Sequence, residues 1–141
     1  MTELAKLTNW LKTFPLWNDE TMYIDYTAAA PNNAGLFPAG MEEVSRTEDV
    51  LGNVTVKNIW RFALYRITQG QQDNTANALW LMQLQSWLQS QSARGLAPTF
   101  GDDPKGERIY GEKGRLKETT QTGTAKYLVT LVVEFTKIYH K

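Results

Sequence analysis

The chain has 141 residues, of which 42% are hydrophobic and 21% charged, with fifteen basic side chains balancing fifteen acidic ones and no cysteine. That length fits one domain over residues 1–141, able to bury about 68–70% of its unfolded surface without staples, and the composition argues against disorder. Zero net charge supplies no basic stripe for nucleic acid and little long-range repulsion between copies, while the missing cysteines exclude disulfides and thiolate metal sites.

The opening MTELAKLTNWLK lacks the apolar core and cleavage site of a signal peptide, so export by that route is not expected. No run approaches the roughly 18 apolar residues of a spanning helix. Residues 2–13 read as a short amphipathic helix: Leu4, Leu7, Leu11 and Phe14 recur at helical spacing, Thr2 caps the start and Pro15 stops it. Residues 22–26 alternate as a short strand. The stretch 27–40, TAAAPNNAGLFPAG, is rich in small residues, Pro and Gly and reads as a loop, with Leu36 and Phe37 pinning it to the body.

Residues 41–50, MEEVSRTEDV, alternate polar and apolar and lead through Leu51-Gly52-Asn53 into a long strand at 54–67, VTVKNIWRFALYRI. Gly-Asn supplies the positive φ of a tight hairpin turn. Typical strands run roughly five or six residues, so this one outreaches an ordinary sheet. Val54, Val56, Trp60, Phe62 and Leu64 share one face; Thr55, Lys57, Arg61 and Ala63 mark the other, with Ile59, Tyr65 and Ile67 among them. The first face is buried, and the second is expected to be partly covered by another subunit.

After a polar break at 69–72, Asp73 or Asn74 caps a long helix to about Arg94, with Gly95 ending it at C′. Ala76, Trp80, Gln83, Leu84, Trp87 and Leu88 form its predicted apolar stripe, and Gln83, Gln85, Gln89 and Gln91 an uncharged polar surface. The tryptophan pair reads as a core anchor rather than a ligand box. Residues 96–106 connect to a bulged strand at 107–119, interrupted by Gly111 and Gly114. QTGT at 121–124 turns into a last strand, 127–136, whose Tyr127, Val129, Leu131, Val133 and Phe135 keep period two. The fold class is α+β: a mostly antiparallel sheet of two hairpins plus a short strand, packed on a long central helix and a short N-terminal one.

Catalytic equipment is sparse. The one histidine, His140, sits next to the end, where chains fray, and nucleophilic triads need such a base beside Ser or Thr. The carboxylate pairs Glu42–Glu43, Glu48–Asp49 and Asp102–Asp103 lie in polar settings and read as solvated rather than acid/base groups. Asp102–Asp103 lacks the ligand spacing of a calcium loop, and neither glycine-rich segment near 101–114 has P-loop spacing. No catalytic residue, metal or cofactor is expected; a small-molecule enzyme would require a deep polar pocket with clustered carboxylates. Residues 102–118 carry five acidic and five basic side chains, which suits a solvated hairpin or complementary pairs between identical copies.

Read at length, the chain resembles a family of prophage proteins of Gram-positive bacteria, described as minor capsid or tail-completion proteins and encoded among head–tail connection genes. The resemblance runs through LTNWLKTFPLW, IDYTAAAPNNAGLFPAG, SRTEDVLGNVTVKNIWRFALYRIT, ALWLMQLQSWLQSQSARGLAPTFGDDPKGERIYGEKG and QTGTAKYLVTLVVEFTKIY. The element order also looks like that of the tail terminators of long-tailed phages, small α/β subunits that form a hexameric ring between tail tube and head. The resemblance implies a homo-oligomeric structural protein of the virion tail or neck, assembled in the host bacterial cytoplasm, not an enzyme. Its partners would be itself, the tail tube protein and a head-completion protein, with no membrane and no specific nucleic-acid binding. A head-side connector or minor capsid protein is the alternative. Close relatives sometimes carry a chloramphenicol-resistance label, but the acetyltransferase reaction uses a histidine base in a folded site, which His140 does not offer. No residue-level site carries over. Contacts are expected at the first hairpin, through Arg46, Glu48, Asp49, Leu51 and Asn53, and at the second, through Lys117 and Gln121.

Overall fold

In the computed structural model, which describes residues 2–17, 20–28, 30–70, 75–119 and 123–141, the α+β expectation holds. Helix α1 spans Glu3–Leu11, strand β1 Thr21–Ile24, β2 Asn33–Glu48, β3 Val54–Gln69, helix α2 Thr75–Ala93, β4 Arg108–Thr119 and β5 Thr124–Tyr139, with a 3-10 turn at Pro104–Gly106. Among the described residues the five strands form one sheet in the order β1-β2-β3-β5-β4. Only the β1–β2 pair is parallel; the others are antiparallel.

The β3–β5 ladder is the axis of the sheet. It runs from Val54↔Tyr139 to Gln69↔Thr124 without a register shift. Its period-two pattern puts Phe62 and Leu64 of β3 and Val129, Leu131, Val133 and Phe135 of β5 on the helical side, all buried. Leu7 and Leu11 of α1 and Leu81, Leu84 and Leu88 of α2 close over them. Trp10 stacks on Trp87 at 5.1 Å, and Phe14 meets Trp80 edge-on at 5.4 Å, so the tryptophans join the two helices to each other as well as to the sheet.

Thr2 caps α1 as expected, its hydroxyl accepting from the Ala5 amide. Gly95 takes φ +71°, and the amides of Leu96 and Gly95 donate to the carbonyls of Gln91 and Ser92, the paired bonds of a Schellman stop. The proposed cap residues Asp73 and Asn74 lie outside the described residues.

Two expectations are corrected. The 27–40 stretch is not all loop: β2 begins at Asn33, and Ala34 and Leu36 are fully buried beneath the helices. Small residues are what this position demands, since a Cβ on Gly35 would lie 2.3 Å from the Tyr26 carbonyl oxygen. The α2 stripe is also rotated from the predicted one: Leu81 replaces Ala76 and Gln83 among the buried positions, and both of those face solvent. Leu79 and Met82 are exposed as well, so apolar residues on both sides of α2 blur its periodicity.

Beneath this core sits a buried ion pair. Arg66 holds the Glu20 carboxylate through three contacts of 3.0–3.2 Å, with the side chains 12% and 3% exposed. The guanidinium also lies 4.0 Å over the Trp80 ring, and the Trp80 indole N–H donates to the Leu16 carbonyl. The pair thereby ties the segment after α1 to β3 and α2. Removing one partner from a buried pair strands a charge.

The connector after α2 is closely fitted. Glu107 accepts from the amides of Phe100 and Gly101, the Asp102 amide donates to Thr136 O at 2.7 Å, and the Asp102 carboxylate accepts from the Ile138 amide. This brings Gly101 so near β5 that a Cβ would lie 2.1 Å from Thr136 O.

Two stability predictions follow from these contacts. Glu20→Ala should cost about 3–5 kcal/mol in urea unfolding, whereas Glu42→Ala, which breaks an exposed pair with Arg61, should cost about 0–1 kcal/mol. Gly101→Ala should lose roughly 1–3 kcal/mol by overpacking.

Candidate assembly interface

The upper half of β2 is an outer edge of the sheet: residues 41–48 pair with 54–60 of β3, which pairs on its other side with β5, and only the turn at 49–53 lies beyond the ladder. β1 pairs with β2 over Asn33–Glu48's first four residues, Thr21↔Asn33 to Ile24↔Leu36. From residue 38 to 51 every side chain on the arm is exposed. The eight residues 41–48 alone reach about 26 Å at the usual strand rise. β3 backs this arm, and on the helical side the β3–β5 pair at that level is covered by the 96–107 connector: Phe100 packs on Trp60 at 5.8 Å, and Val56 and Phe135 are buried.

The arm carries apolar side chains that nothing within the chain covers. Val50 is 102% and Leu51 77% exposed at the tip, and Met41 and Val44 are exposed along the strand. Single exposed apolar residues are ordinary; four of them along one sheet edge and its turn are the sort of surface that a partner covers.

Six of the seven residues expected at the contact are among the described ones. Arg46 is held within the arm by Glu43 at 2.7 Å, which raises its already high pKa. Asp49 organises the tip: its Oδ1 accepts from the amides of Leu51 and Asn53, both at 2.9 Å, and its Oδ2 from the Asn53 side-chain amide. Gly52 takes φ +86°, and Asn53 Oδ1 accepts from the Lys141 amide, fastening the end of β5 to the tip. Asp49 and Asn53 thus shape the turn, while Leu51 and Glu48 point outward as exposed groups. Lys117 sits elsewhere, on β4, with its ammonium 6.0 Å from the Tyr65 ring on the helix-free face of the sheet. Gln121 lies outside the described residues. The structure therefore brings Arg46, Glu48, Asp49, Leu51 and Asn53 together on one arm and places Lys117 apart from them.

The helix-free face is closed over its centre by the chain's own side chains. Leu128, Val132 and Thr136 are buried there. Lys126 lies 4.5 Å over Tyr65, which meets Phe37 edge-on at 5.2 Å. Arg108 lies 4.6 Å over Tyr110 and pairs with Glu134 at 2.6 Å. Burial raises the Tyr110 phenol pKa, with Glu134 adding to it. The cover expected from a second subunit is thus supplied at these positions by aromatic and long cationic side chains.

Sequence reasoning missed Val50, Val44 and Met41. The available signal was two apolar residues, Val50 and Leu51, directly before Gly52-Asn53 in a turn, where polar residues are the rule. Among the described residues no group of three or more His, Asp or Glu side chains is arranged to hold a metal ion, and no helix is long and apolar enough to cross a membrane. The carboxylate pairs are engaged singly: Glu42 with Arg61, Glu43 with Arg46, Asp102 with the Ile138 amide. His140 is exposed just past β5.

A scan against protein-family models gives no match for this chain, and a search of curated proteins gives none either.

The Asp49 carboxyl should titrate below the ordinary aspartate value of about 3.9, because the Asn53 amide and then the Leu51 amide stabilise its charged form. A depressed carboxylate pKa favours the folded tip above the unfolded-state value, and that contribution is lost as pH falls through the folded value. In an NMR titration, the Leu51 and Asn53 amide shifts should move with the Asp49 midpoint. Asp49→Ala should abolish that shared transition while leaving the β3–β5 amides in place.

Proposed function

We propose that this protein is a structural subunit of a phage virion, a ring-forming tail-terminator or tail-completion protein at the head–tail junction. It assembles with copies of itself, the hexamer following the tail-terminator resemblance, and contacts the tail tube protein on one side and a head-completion protein on the other. The observation that carries this reading is the exposed β2 edge and its turn into β3, with the tip organised by Asp49 and its apolar Val50 and Leu51 exposed.

Three physical features support it. Holding a bare apolar tip in one conformation favours a docking element, because the ordering cost is met before the partner arrives. Balanced charge leaves no long-range barrier to association of identical copies. A contact between two different surfaces of one chain closes into a ring when its rotation permits. The phage setting itself comes from the sequence resemblance, an argument by likeness.

The purified protein, incubated with tail tubes of the parent phage, should form a ring at the tube end, visible by electron microscopy and by light scattering as a discrete multimer. Pull-down of the tail tube protein supports the tail-side placement; pull-down of a head-completion protein moves the subunit to the head side. A strict monomer at high concentration that leaves tail tubes uncapped would contradict the proposal.

A further inference from the structure

The turn between β2 and β3 is an exposed apolar knob: Val50 is 102% and Leu51 77% exposed. Its shape is set in advance by the Asp49 carboxylate, which accepts from the Leu51 and Asn53 amides. Further along β3 lies a surface of matching kind. Beside the start of α1 the core reaches the surface in a cleft of about 280 Å³, lined by Leu4, Pro38, Met41, Trp60 and Phe62 together with Glu3 and Arg61. A register shift between Pro38 and Met41 takes Ala39 and Gly40 out of the ladder, and Gly40 takes φ +103°. All four of these residues are exposed, so the cleft opens toward the outer edge of the sheet. The larger groove between α2 and β4, about 720 Å³, is already served at its edge: the Ile109 amide donates to Ser92 Oγ, and the Gly111 carbonyl accepts from the Gln85 side-chain amide.

We propose that the apolar turn of one copy, Val50 and Leu51, seats in the α1–β2 cleft of a neighbouring copy. This rests on the reading that copies of the chain assemble with one another. The turn cannot fill its own cleft. Residues 54 and 60–62 of the continuous strand β3 hold the two roughly 20–26 Å apart at the usual rise, and the β2–β3 ladder fixes that separation. The sizes agree: at roughly the 30 Å³ that a water occupies in the liquid, the side-chain carbons of Val50 and Leu51 need on the order of 200 Å³. A preordered convex apolar surface and a concave one shed water together on contact, and anchors seated in pockets dominate such interfaces.

Charge neither selects nor opposes the match. Each surface carries both signs, Glu48 and Lys141 beside the turn and Glu3 and Arg61 at the cleft. Arg61 is already paired with Glu42. Glu3 is less well served: its Oε1 meets Lys6 at 3.5 Å, and its Oε2 is buried with no hydrogen-bond partner among the described residues. Lys141, whose side chain lies against Gly52, brings a cation along with the turn. Turn and cleft are different surfaces, so the contact is heterologous. They also lie at different levels along the strands, so a ring closed by this contact has its axis across the strands rather than along them. The seated turn rests against the bare edge of β2 at Met41.

With no cysteine in the chain, the contact can be mapped by introduced ones. Glu48→Cys, carrying a tag, and untagged Ala39→Cys alter exposed positions. They are mixed at high concentration, and again with tail tubes, and treated with a short bismaleimide. Seating predicts a tagged–untagged pair from the mixture, none from either variant alone, and a ladder beyond the dimer from the double variant. Leu51→Asp and Met41→Asp, both at exposed positions, should each weaken self-association by about tenfold or more with the urea midpoint unchanged. An equimolar mixture of these two keeps one intact turn and one intact cleft, and should recover pairs that stop at the dimer. Links from Glu48→Cys alone would establish a turn-to-turn contact and overturn the proposal. A multimer of discrete mass with no mixed link would overturn it too, while leaving the ring reading standing. A mixed link whose ladder ends at the dimer would uphold the seating and remove the ring. A monomer under all conditions, tail tubes included, would remove both.

Discussion

Everything in this fold hangs on the uninterrupted antiparallel pairing of β3 with β5. From Val54↔Tyr139 to Gln69↔Thr124 the register never slips, and a one-residue slip would carry Phe62, Leu64 and their partners from the helical side to the other face. Burial of the β5 stripe from Ala125 to Phe135 fixes that register. With the ladder in place, the lower half accepts two helices and the upper half a connector, and β2 runs along β3 as an outer edge of the sheet. The arm is exposed because β1 covers only residues 33–36 of β2 and leaves the rest of that edge bare.

Different forces hold the two halves. Below, aromatic packing of Trp10, Phe14, Trp80 and Trp87 and the Glu20–Arg66 pair tie the helices to the sheet. Above, hydrogen bonds dominate: Asp102 and Glu107 fasten the connector, and Asp49, Asn53 and the Lys141 amide fasten the tip. Gly111 and Gly114 let α2 lie against β4, where an added Cβ would come within 3.1–3.3 Å of Val129, Leu88 and Gln85 at the first and within 2.4 Å of the Gln85 side-chain oxygen at the second. Close approach at that edge shapes the groove, and side-chain groups of α2 rather than a strand meet its outward backbone.

Much of this was readable from residues alone, because strict periodicity is a strong signal. The alternation from Tyr127 to Phe135, the Thr2 cap and the Gly95 stop each report one local physical demand, and each is met. The first half of β2 was hidden because Asn33-Ala34-Gly35 looks like loop material; its small size reflects tight packing beside Tyr26, a tertiary fact. The buried stripe of α2 was misread because Leu79 and Met82 are apolar yet exposed. Of the candidate contact residues, Arg46, Glu48, Asp49, Leu51 and Asn53 were placed on one arm by the turn signal. The groove between α2 and β4 was not foreseen, since its rim at 105–108 forms only when the connector folds back along β5.

The central claim is the proposed one, that a neighbouring copy covers the preorganised tip and the outer edge of β2 on assembly. Hydrogen–deuterium exchange of the free protein and of the assembled ring tests this directly, because exchange protection follows local opening. Outward-facing amides of β2 between 41 and 48, which no strand bonds in the free chain, should exchange rapidly there and become protected on assembly, with those of the β3–β5 ladder slow in both states. Arm amides that exchange equally fast before and after assembly would contradict the account.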